Sequence, residues 1–506
     1  MAECHVVRFQ LKPNTAEKRI LEKRFFIMWH IHNVGVNYCI RKYTVLKHHQ
    51  EYQSLLNTYI ALLKKDKLNA QDKILKKSIS ARMDAIRHEI GLTEYALSTY
   101  LKKCRTQFKK NISSQQVQKE AAFIFRSVTN CIFSQGNYIH HKRFMDFKTI
   151  SGKSNLNGIR FDSTSKTISW NGLQLKCHYK SKNEAYIAQA IDGHIKFCEI
   201  TRMMFNSGWR YYINVYVDGP QPKQLKNIKV GVGGIDIGVS TIAVVYNNKV
   251  FLQELASNTN KYNKKISRLS RAMDRSKRAT NPHRFNSDGT IKKGVKGRWL
   301  YSNNYRKLRR QFKTAHRQKA AYVKQSHETL CNQLLAVGNT FLVEEMNFKA
   351  LQKRSKTTVR QEKESSVITK NGTTKTIHKN KKKKRFGKSL NNRAPALFIS
   401  ILTMKANLYG GSVSKIKTQA VKASQYNHLT NQYQKTQLSQ RFKTIGGYNI
   451  QRDLYSAFLI QHVNSDKTTI NQKQCIEDFA NFVEMHDKQI NYMKHHHISN
   501  KGVFGF

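Results

Sequence analysis

Residues 227–252 read NIKVGVGGIDIGVSTIAVVYNNKVFL, and their pattern governs how the second half of the chain is understood. Three runs rich in Val and Ile are separated by tight-turn signals at Gly238–Ser240 and Asn247–Asn248, which predicts three short strands joined by hairpins. One acid, Asp236, sits between Ile235 and Ile237 in the first of them. A carboxylate in so apolar a strand requires an explanation, because burying its charge is costly.

The surrounding chain is strongly basic: 90 Lys and Arg against 31 Asp and Glu over 506 residues, a formal charge of +59. Self-repulsion on that scale calls for a polyanion, and nucleic acid held through its phosphates is the natural partner. A hydrophobic content of 39%, with 25 Phe and 23 Tyr, supplies material for several cores and argues against a disordered tail protein. No apolar run reaches the roughly 18 residues of a membrane span. The opening MAECHVVRFQLK also lacks the apolar core of a signal peptide, so no membrane partner and a cytoplasmic location are expected. The eight cysteines are scattered with no CxxC pair, a pattern of reduced thiols that gives neither a disulfide framework nor a zinc site.

Residues 4–12, CHVVRFQLK, alternate as a strand, and Pro13 with Thr15 opens a helical stretch to about residue 45. A second helical stretch runs from about 53 to 109, with Leu55, Ile60 and Leu63 at helical spacing. Residues 13–113 therefore read as a helical insertion. From about 124 to 225, runs such as NGIRFDSTSKTISWNGLQLKCHYK and GWRYYINVYVDGP alternate and are broken by Asn-Gly and Asp-Gly pairs, which predicts the hairpins of a small barrel or sandwich.

After the opening strands come two basic helical segments. In KKISRLSRAMDRSKRA, Ile266, Leu269 and Met273 share a face, as do Leu308, Phe312 and Ala315 in NYRKLRRQFKTAHRQKAAYV. NTFLVEEMNF reads as a buried strand ending in glutamates. The low-complexity stretch beginning KRSKTT is expected to be a mobile loop, and APALFISILTMKANLYGG a helix with a Gly-Gly stop. SVSKI, a polar loop and the helix NIQRDLYSAFLIQHV complete the region.

Asp236, Glu344 at the end of FLVE, and Asp453 near a helix start are separated by 108 and 109 residues, so only a fold could gather them. Strand-strand-strand-helix-strand-helix-strand-helix is the order of an RNase H-like domain, in which the first and fourth strands are adjacent. Asp236 and Glu344 would then be neighbours, with Asp453 reaching them from a docked helix and the small Ala457 permitting close approach. Each acid has an ordinary explanation on its own: a turn former beside Gly238, a strand-end acid, a first-turn helix acid favoured by the dipole. Crowded together in a partly dry site, they could not all stay ionised without cations. Two Mg2+ ions about 4 Å apart would suit phosphodiester hydrolysis.

GIDIGVSTIAVV, FLVEEMNFKAL and QRDLYSAFLI resemble the three motifs of the RuvC-like nuclease domain in the transposon-encoded TnpB family and the similar compact type V CRISPR effectors of the Cas12 type. The resemblance implies an α/β multidomain chain. A wedge-like β-barrel would span 1–12 and 114–225, an inserted helical recognition lobe 13–113, and an RNase H-like (RuvC) nuclease domain 226–420 and 446–470. Within that domain, 258–330 would hold the basic helices and 351–392 a flexible basic loop; a target-nucleic-acid-loading module would span 421–445, and a C-terminal tail 471–506.

The same resemblance implies an RNA-guided DNA endonuclease of the prokaryotic cytosol or nucleoid. Its partners would be a guide RNA and a DNA target in double- and single-stranded form, with a short flanking motif read in the duplex. It places Asp236, Glu344 and Asp453 on the catalytic, metal-binding positions, with Mg2+ as cofactor and Mn2+ as a substitute. Arg268, Arg271, Arg275, Arg309 and Arg310 are then plausible phosphate contacts, and the run KNKKKKRF an electrostatic anchor. One departure stands out: many relatives carry a zinc ribbon of two CxxC pairs where this chain reads KASQYNHLTNQYQKTQLSQRFKTIGGYNIQRD. Ser424 and Gln425 are kept but no cysteine is, so a metal-free module and no zinc are expected. A lone His428 in a polar loop and the His495–His497 triplet are not read as ligands.

Two rivals share parts of this pattern. An RNA-guided DNA-binding protein without cleavage would not need the intact acid set. A DDE-type transposase usually has Asp second and Glu on the helix, whereas the order here is Asp, Glu, Asp. A ribosome-associated RNA-binding protein would explain the charge and not the acids.

Overall fold

Leu11 ends a strand and Asn14 starts a helix, and this junction sets the plan of the first unit. β1 (Cys4–Leu11) buries Val7, Phe9 and Leu11 in alternation. Asn14 then accepts from the Glu17 amide while the Glu17 carboxylate accepts from the Asn14 amide, a reciprocal cap that launches α1 (Thr15–His48). The computed structural model describes residues 4–65, 68–133, 136, 138–223, 227–287, 289–292, 294–295, 297–352, 360–368, 373–380, 386–435, 437, 440–500, 502 and 504–506. The chain divides into two compact units, Met1–Pro222 and Lys223–Phe506.

In the first unit α1 is followed by α2 (Gln50–Leu63), α3 (Ala70–Ile90), α4 (Glu94–Arg105) and α5 (Ser114–Phe133). A Cβ on Gly35 would stand 2.8 Å from Ile124 Cδ1 and 3.2 Å from Leu101 Cδ1, so α1 meets α4 and α5 across bare backbone. Next come β2 (Thr149–Ser151), β3 (Ile159–Asp162), β4 (Thr167–Trp170), β5 (Leu173–His178), α6 (Glu184–Ala190), β6 (Ile195–Phe205) and β7 (Gly208–Asp218). They form one sheet of order β2-β6-β7-β1-β5-β4-β3, and β3 also lies against β6, so the sheet curls. β1, separated from the other strands by five helices, pairs antiparallel with β7 and β5 in its middle. The segment 114–225, expected to be barrel with hairpins from about residue 124, opens on a helix that runs to Phe133. Val117, Ala121, Ile124, Val128 and Ile132 of α5 are buried at three- and four-residue spacing, and that burial holds residues 114–133 helical.

The second unit begins with β8 (Val232–Ile237), β9 (Thr241–Tyr246) and β10 (Lys249–Glu254), followed by α7 (Thr259–Thr280), α8 (Asn303–Leu335) and β11 (Thr340–Glu344). α9 (Phe348–Gln352), β12 (Arg360–Ile368), β13 (Thr374–Asn380), α10 (Gly387–Arg393), α11 (Pro395–Leu408), β14 (Ser412–Ile416) and α12 (Thr418–Val421) follow. The chain closes with β15 (Tyr426–Asn427), β16 (Gln432–Tyr433), β17 (Phe442–Ile445), β18 (Tyr448–Gln451), α13 (Arg452–Gln461) and α14 (Gln472–His495). The main sheet has the order β10-β9-β8-β11-β14, antiparallel from β10 to β8 and parallel from β8 to β14. Its first and fourth strands in sequence, β8 and β11, are neighbours, the adjacency expected from the element order.

Helices cover both faces of this sheet. Ile235, Ile237, Val244, Phe341 and Val343 pack against Leu330 and Leu334 of α8 and Phe398 and Leu402 of α11. On the other face Ala243 and Val245 meet Ala457 and Phe458 of α13, backed by Phe479 and Phe482 of α14. A Cβ on Gly234 would collide with the Ala457 carbonyl and the Gln461 amide, so α13 rests directly on β8 at that point.

Two expected segments take another form. Within 351–392 the described residues include the antiparallel β12–β13 hairpin and α10 where a loop was expected; residues 381–385 of the basic run lie outside the described residues. Residues 471–506 hold α14, whose Cys475, Phe479, Phe482, Val483, Ile490 and Met493 are buried; this apolar face makes the segment part of the core and not a tail. Among the described residues no helix is long and apolar enough to cross a membrane.

Candidate functional site

Strand alternation decides where the acids point. Ile235 and Ile237 enter the core beneath α8 and α11, so Asp236 between them is directed to the face covered by α13. Its cross-strand partner Ala243 packs on that face. Val343 pairs with Ile235 in parallel register, which brings Glu344, one residue on, level with Asp236. Asp453 comes from the first turn of α13. The start of that helix is fixed by Gln451: its side-chain Oε1 accepts from the Leu454 amide at 2.8 Å, and its backbone amide donates to His486 Nε2 at 2.9 Å.

All three acids line one cavity of about 740 Å3, with the turn at Gly238–Thr241, Ser424, Gln425, Lys435, Arg441 and Arg452 among the other walls. Burial pushes the Asp236 carboxyl well above its ordinary range, Asp453 and Glu344 push it further, and Arg452 opposes them. Glu344 is raised by burial. Asp453 is held by Arg452, whose Nε and Nη2 donate to Oδ1 at 3.2 and 3.1 Å, while Arg441 Nη1 stands 3.8 Å from Oδ2. Both arginines are tied to backbone as well, Arg452 to the Gln440 carbonyl at 3.2 Å and Arg441 to that of Gly502 at 2.7 Å.

Three carboxylates are hard oxygen ligands of the kind Mg2+ prefers, and their mutual repulsion is the charge a dication would compensate. Among the described residues, however, no group of three or more His, Cys, Asp or Glu side chains is gathered closely enough to hold a metal ion. The acids share a cavity but not a finished cage, and Asp453 would have to exchange arginine for metal.

Arg268, Arg271 and Arg275 lie on α7, and Arg309 and Arg310 on α8; all five are exposed. α7 carries eight Lys and Arg and one acid, Asp274, which pairs with Arg278 at 2.8 Å. Among the described residues none of the five forms an ion pair. The structure adds cations that the sequence reading missed, namely Lys435, Arg441 and Arg452. Arg452 had a signal, standing directly before Asp453; Lys435 and Arg441 had none, since only the folding of the 424–451 segment brings them in.

His428 does not lie in an open polar loop. It is fully buried, with Nδ1 2.7 Å from the Tyr455 hydroxyl and its carbonyl accepting from Gln472 Nε2 at 2.7 Å. Phe458 and Phe479 pack on its ring. Burial, aided by His462, pushes it down to about 4. The loop folds back onto α13 and α14, which the polarity of its sequence concealed.

No protein-family model matches the chain, and no curated protein matches it. Among solved structures, one similar to it is the cryo-EM structure of the Cas12f1-sgRNA-target DNA complex, with 11% identity and a TM-score of 0.44 over 92% of this chain and 99% of that one. Another is the cryo-EM structure of the CRISPR-Cas12f ternary complex, with 11% identity and a TM-score of 0.25 over 90% and 98%.

Proposed function

We propose that the chain is an RNA-guided DNA endonuclease of the TnpB and type V CRISPR kind, cutting at a single site in an RNase H-like, RuvC-type domain. The observation that carries this reading is the convergence of Asp236, Glu344 and Asp453, from three distant elements, on one cavity. The β10-β9-β8-β11-β14 order, with α13 on the face that carries the acids, is the framework such a domain uses.

Asp236, Glu344 and Asp453 would hold Mg2+, or Mn2+ in its place, which would supply the Lewis acidity for phosphodiester hydrolysis. The chain's own groups do the rest. Lys435, Arg441 and Arg452 draw a phosphate towards the acids, the two arginines turning from Asp453 to the phosphate as the metal takes their place. The walls at Ile237, Val239, Met346 and Leu351 limit the water around the reacting group. The guide-RNA part of the reading rests on the three motifs and on the +59 charge, with the exposed arginines of α7 and α8 as phosphate contacts.

One observation favours the cleavage-free alternative: Asp453 is engaged by two arginines, and the acids are not gathered into a cage. A single assay separates the two. The protein is purified with its RNA, the RNA is sequenced, and DNA matching its variable end is added with Mg2+. Discrete RNA, cutting of matched DNA, and a loss of at least about a hundredfold in Asp236→Ala are expected. Matched binding without cutting would establish the alternative, and bulk ribosomal RNA would end the guided reading altogether.

A further inference from the structure

The buried face of α14 runs Cys475, Phe479, Phe482, Val483, His486, Ile490 and Met493. Its three- and four-residue spacing calls for an apolar side chain at each place, yet one member is a histidine, and it is 1% exposed. A buried ring with two nitrogens is costly unless both find partners. Here both do: Nε2 lies 2.9 Å from the Gln451 amide and Nδ1 2.8 Å from Asp487 Oδ1.

The ladder of the β17–β18 hairpin explains why the Gln451 amide is free to meet it. The Arg452 amide donates to the Arg441 carbonyl at 2.8 Å, and donors alternate from one edge of a strand to the other. The amide one residue earlier, on Gln451, therefore points away from β17. Because that amide donates, Nε2 has to present a lone pair. The proton of the neutral ring is then on Nδ1, where Asp487 accepts it and sets the tautomer. Burial holds the ring below the ordinary histidine range, aided by Lys494 and opposed by Asp487, which keeps the lone pair in place at neutral pH.

Arg452 and Asp453 are the next two residues after this contact, and Arg441 is tied across the hairpin to Arg452; all three line the cavity of the acids. For Asp453 to take a metal, its arginine partners have to let go. A carboxylate released in this way keeps its place only if its backbone stays fixed, and side chains that are changing partners cannot fix it. The contact at Gln451 can, because it grips the main chain.

We propose that His486 is a positioning residue for the cut: from α14, through the Gln451 amide, it holds the start of α13 so that Asp453 keeps its place while the arginines turn away. The inference rests on the cleavage reading above and extends it to a helix beyond all three motifs.

His486→Leu fills the core without a lone pair, and His486→Gln offers Oε1 where Nε2 stood. Both are compared with the parent as full-length protein carrying its RNA. His486→Leu is expected to exchange the Gln451 amide hydrogen at least about fivefold faster. It should cut matched DNA with kcat lower by at least about tenfold and KM within about twofold, and His486→Gln should restore both exchange and rate. Asp487, more than half exposed, allows a test that leaves the core filled. Asp487→Ala is expected to lower kcat about threefold in the parent and to have no effect beside His486→Gln.

A folded His486→Leu that cuts at the parental rate overturns the proposal, as does a His486→Gln whose Gln451 amide is protected again while its cutting is not. Should His486→Leu fail to fold, Asp487→Ala decides, and no loss, or an equal loss in both backgrounds, is the overturning result. If the unmutated protein cuts nothing, the cleavage reading has failed on its own account, and exchange of the Gln451 amide alone judges the contact with His486.

Discussion

At the residue scale, Asp236 joins chemistry to stability. Burial and the neighbouring acids raise its carboxyl in the folded chain above the value it has unfolded, so over an interval of pH the folded state keeps a proton that the unfolded state has lost. Stability is then greatest below the ordinary carboxylate range and declines as pH rises through the raised value. Asp236→Asn removes that ionisation. In EDTA the variant is expected to melt at a higher temperature than the parent at pH 8, with the gain shrinking towards about pH 4; an equal gain at every pH would contradict the repulsion. His428 acts in the opposite sense, its folded value of about 4 lying below the ordinary 6.5. Its contribution is present above 6.5 and is lost as pH falls towards 4, so the decline in melting temperature over that interval should be shallower in His428→Gln. The three acids were legible because each sits in a patterned strand or helix at a recognisable position. Arg441 was not: Gly446–Gly447 marks the turn of the β17–β18 hairpin, but nothing local says that this hairpin brings Arg441 beside Asp453.

At the scale of elements, the seat of α13 on β8 is the critical contact. A methyl at Gly234 has nowhere to go but into the Ala457 carbonyl and the Gln461 amide, and backbone cannot yield as a flexible side chain can. Gly234→Ala is expected to cost about 1–3 kcal/mol, the range of overpacking, read as a lower urea midpoint. It should also reduce cutting, because the displaced helix carries Asp453. Gly387→Ala, whose nearest neighbour would be the Gln352 carbonyl at 3.9 Å, serves as the control. The β8–β10 strands were legible because turn residues punctuate them, and α13 because its apolar face is continuous. α5 and α14 carry an equally good helical period, in α5 followed directly by hairpin signals and in α14 set among polar residues near the end of the sequence.

For the whole molecule the charge was the most legible property, and its use is measurable. Replacing Arg268, Arg271, Arg275, Arg309 and Arg310 with Gln should weaken nucleic-acid binding and flatten its salt dependence. The slope would fall by up to about 3.5 if all five meet single-strand phosphates. Binding that weakens with no change in slope would place these arginines away from the backbone. β1 returns to a sheet whose other strands lie more than a hundred residues later; turn chemistry alone does not specify that pairing, and the grouping of residues 1–12 with 114–225 was carried by the layout of the resembling family.

The β12–β13 hairpin also bears on how small the chain can be made. Its strands pair with each other, and the helices that bracket it, α9 and α10, touch, with the Gln352 carbonyl 3.9 Å from where a Cβ on Gly387 would stand. The two ends of this excursion therefore already meet. A gene in which residues 354–385 give way to a short turn should still encode the five-stranded sheet in its present register, leaving a more compact protein for settings where cargo length is limiting.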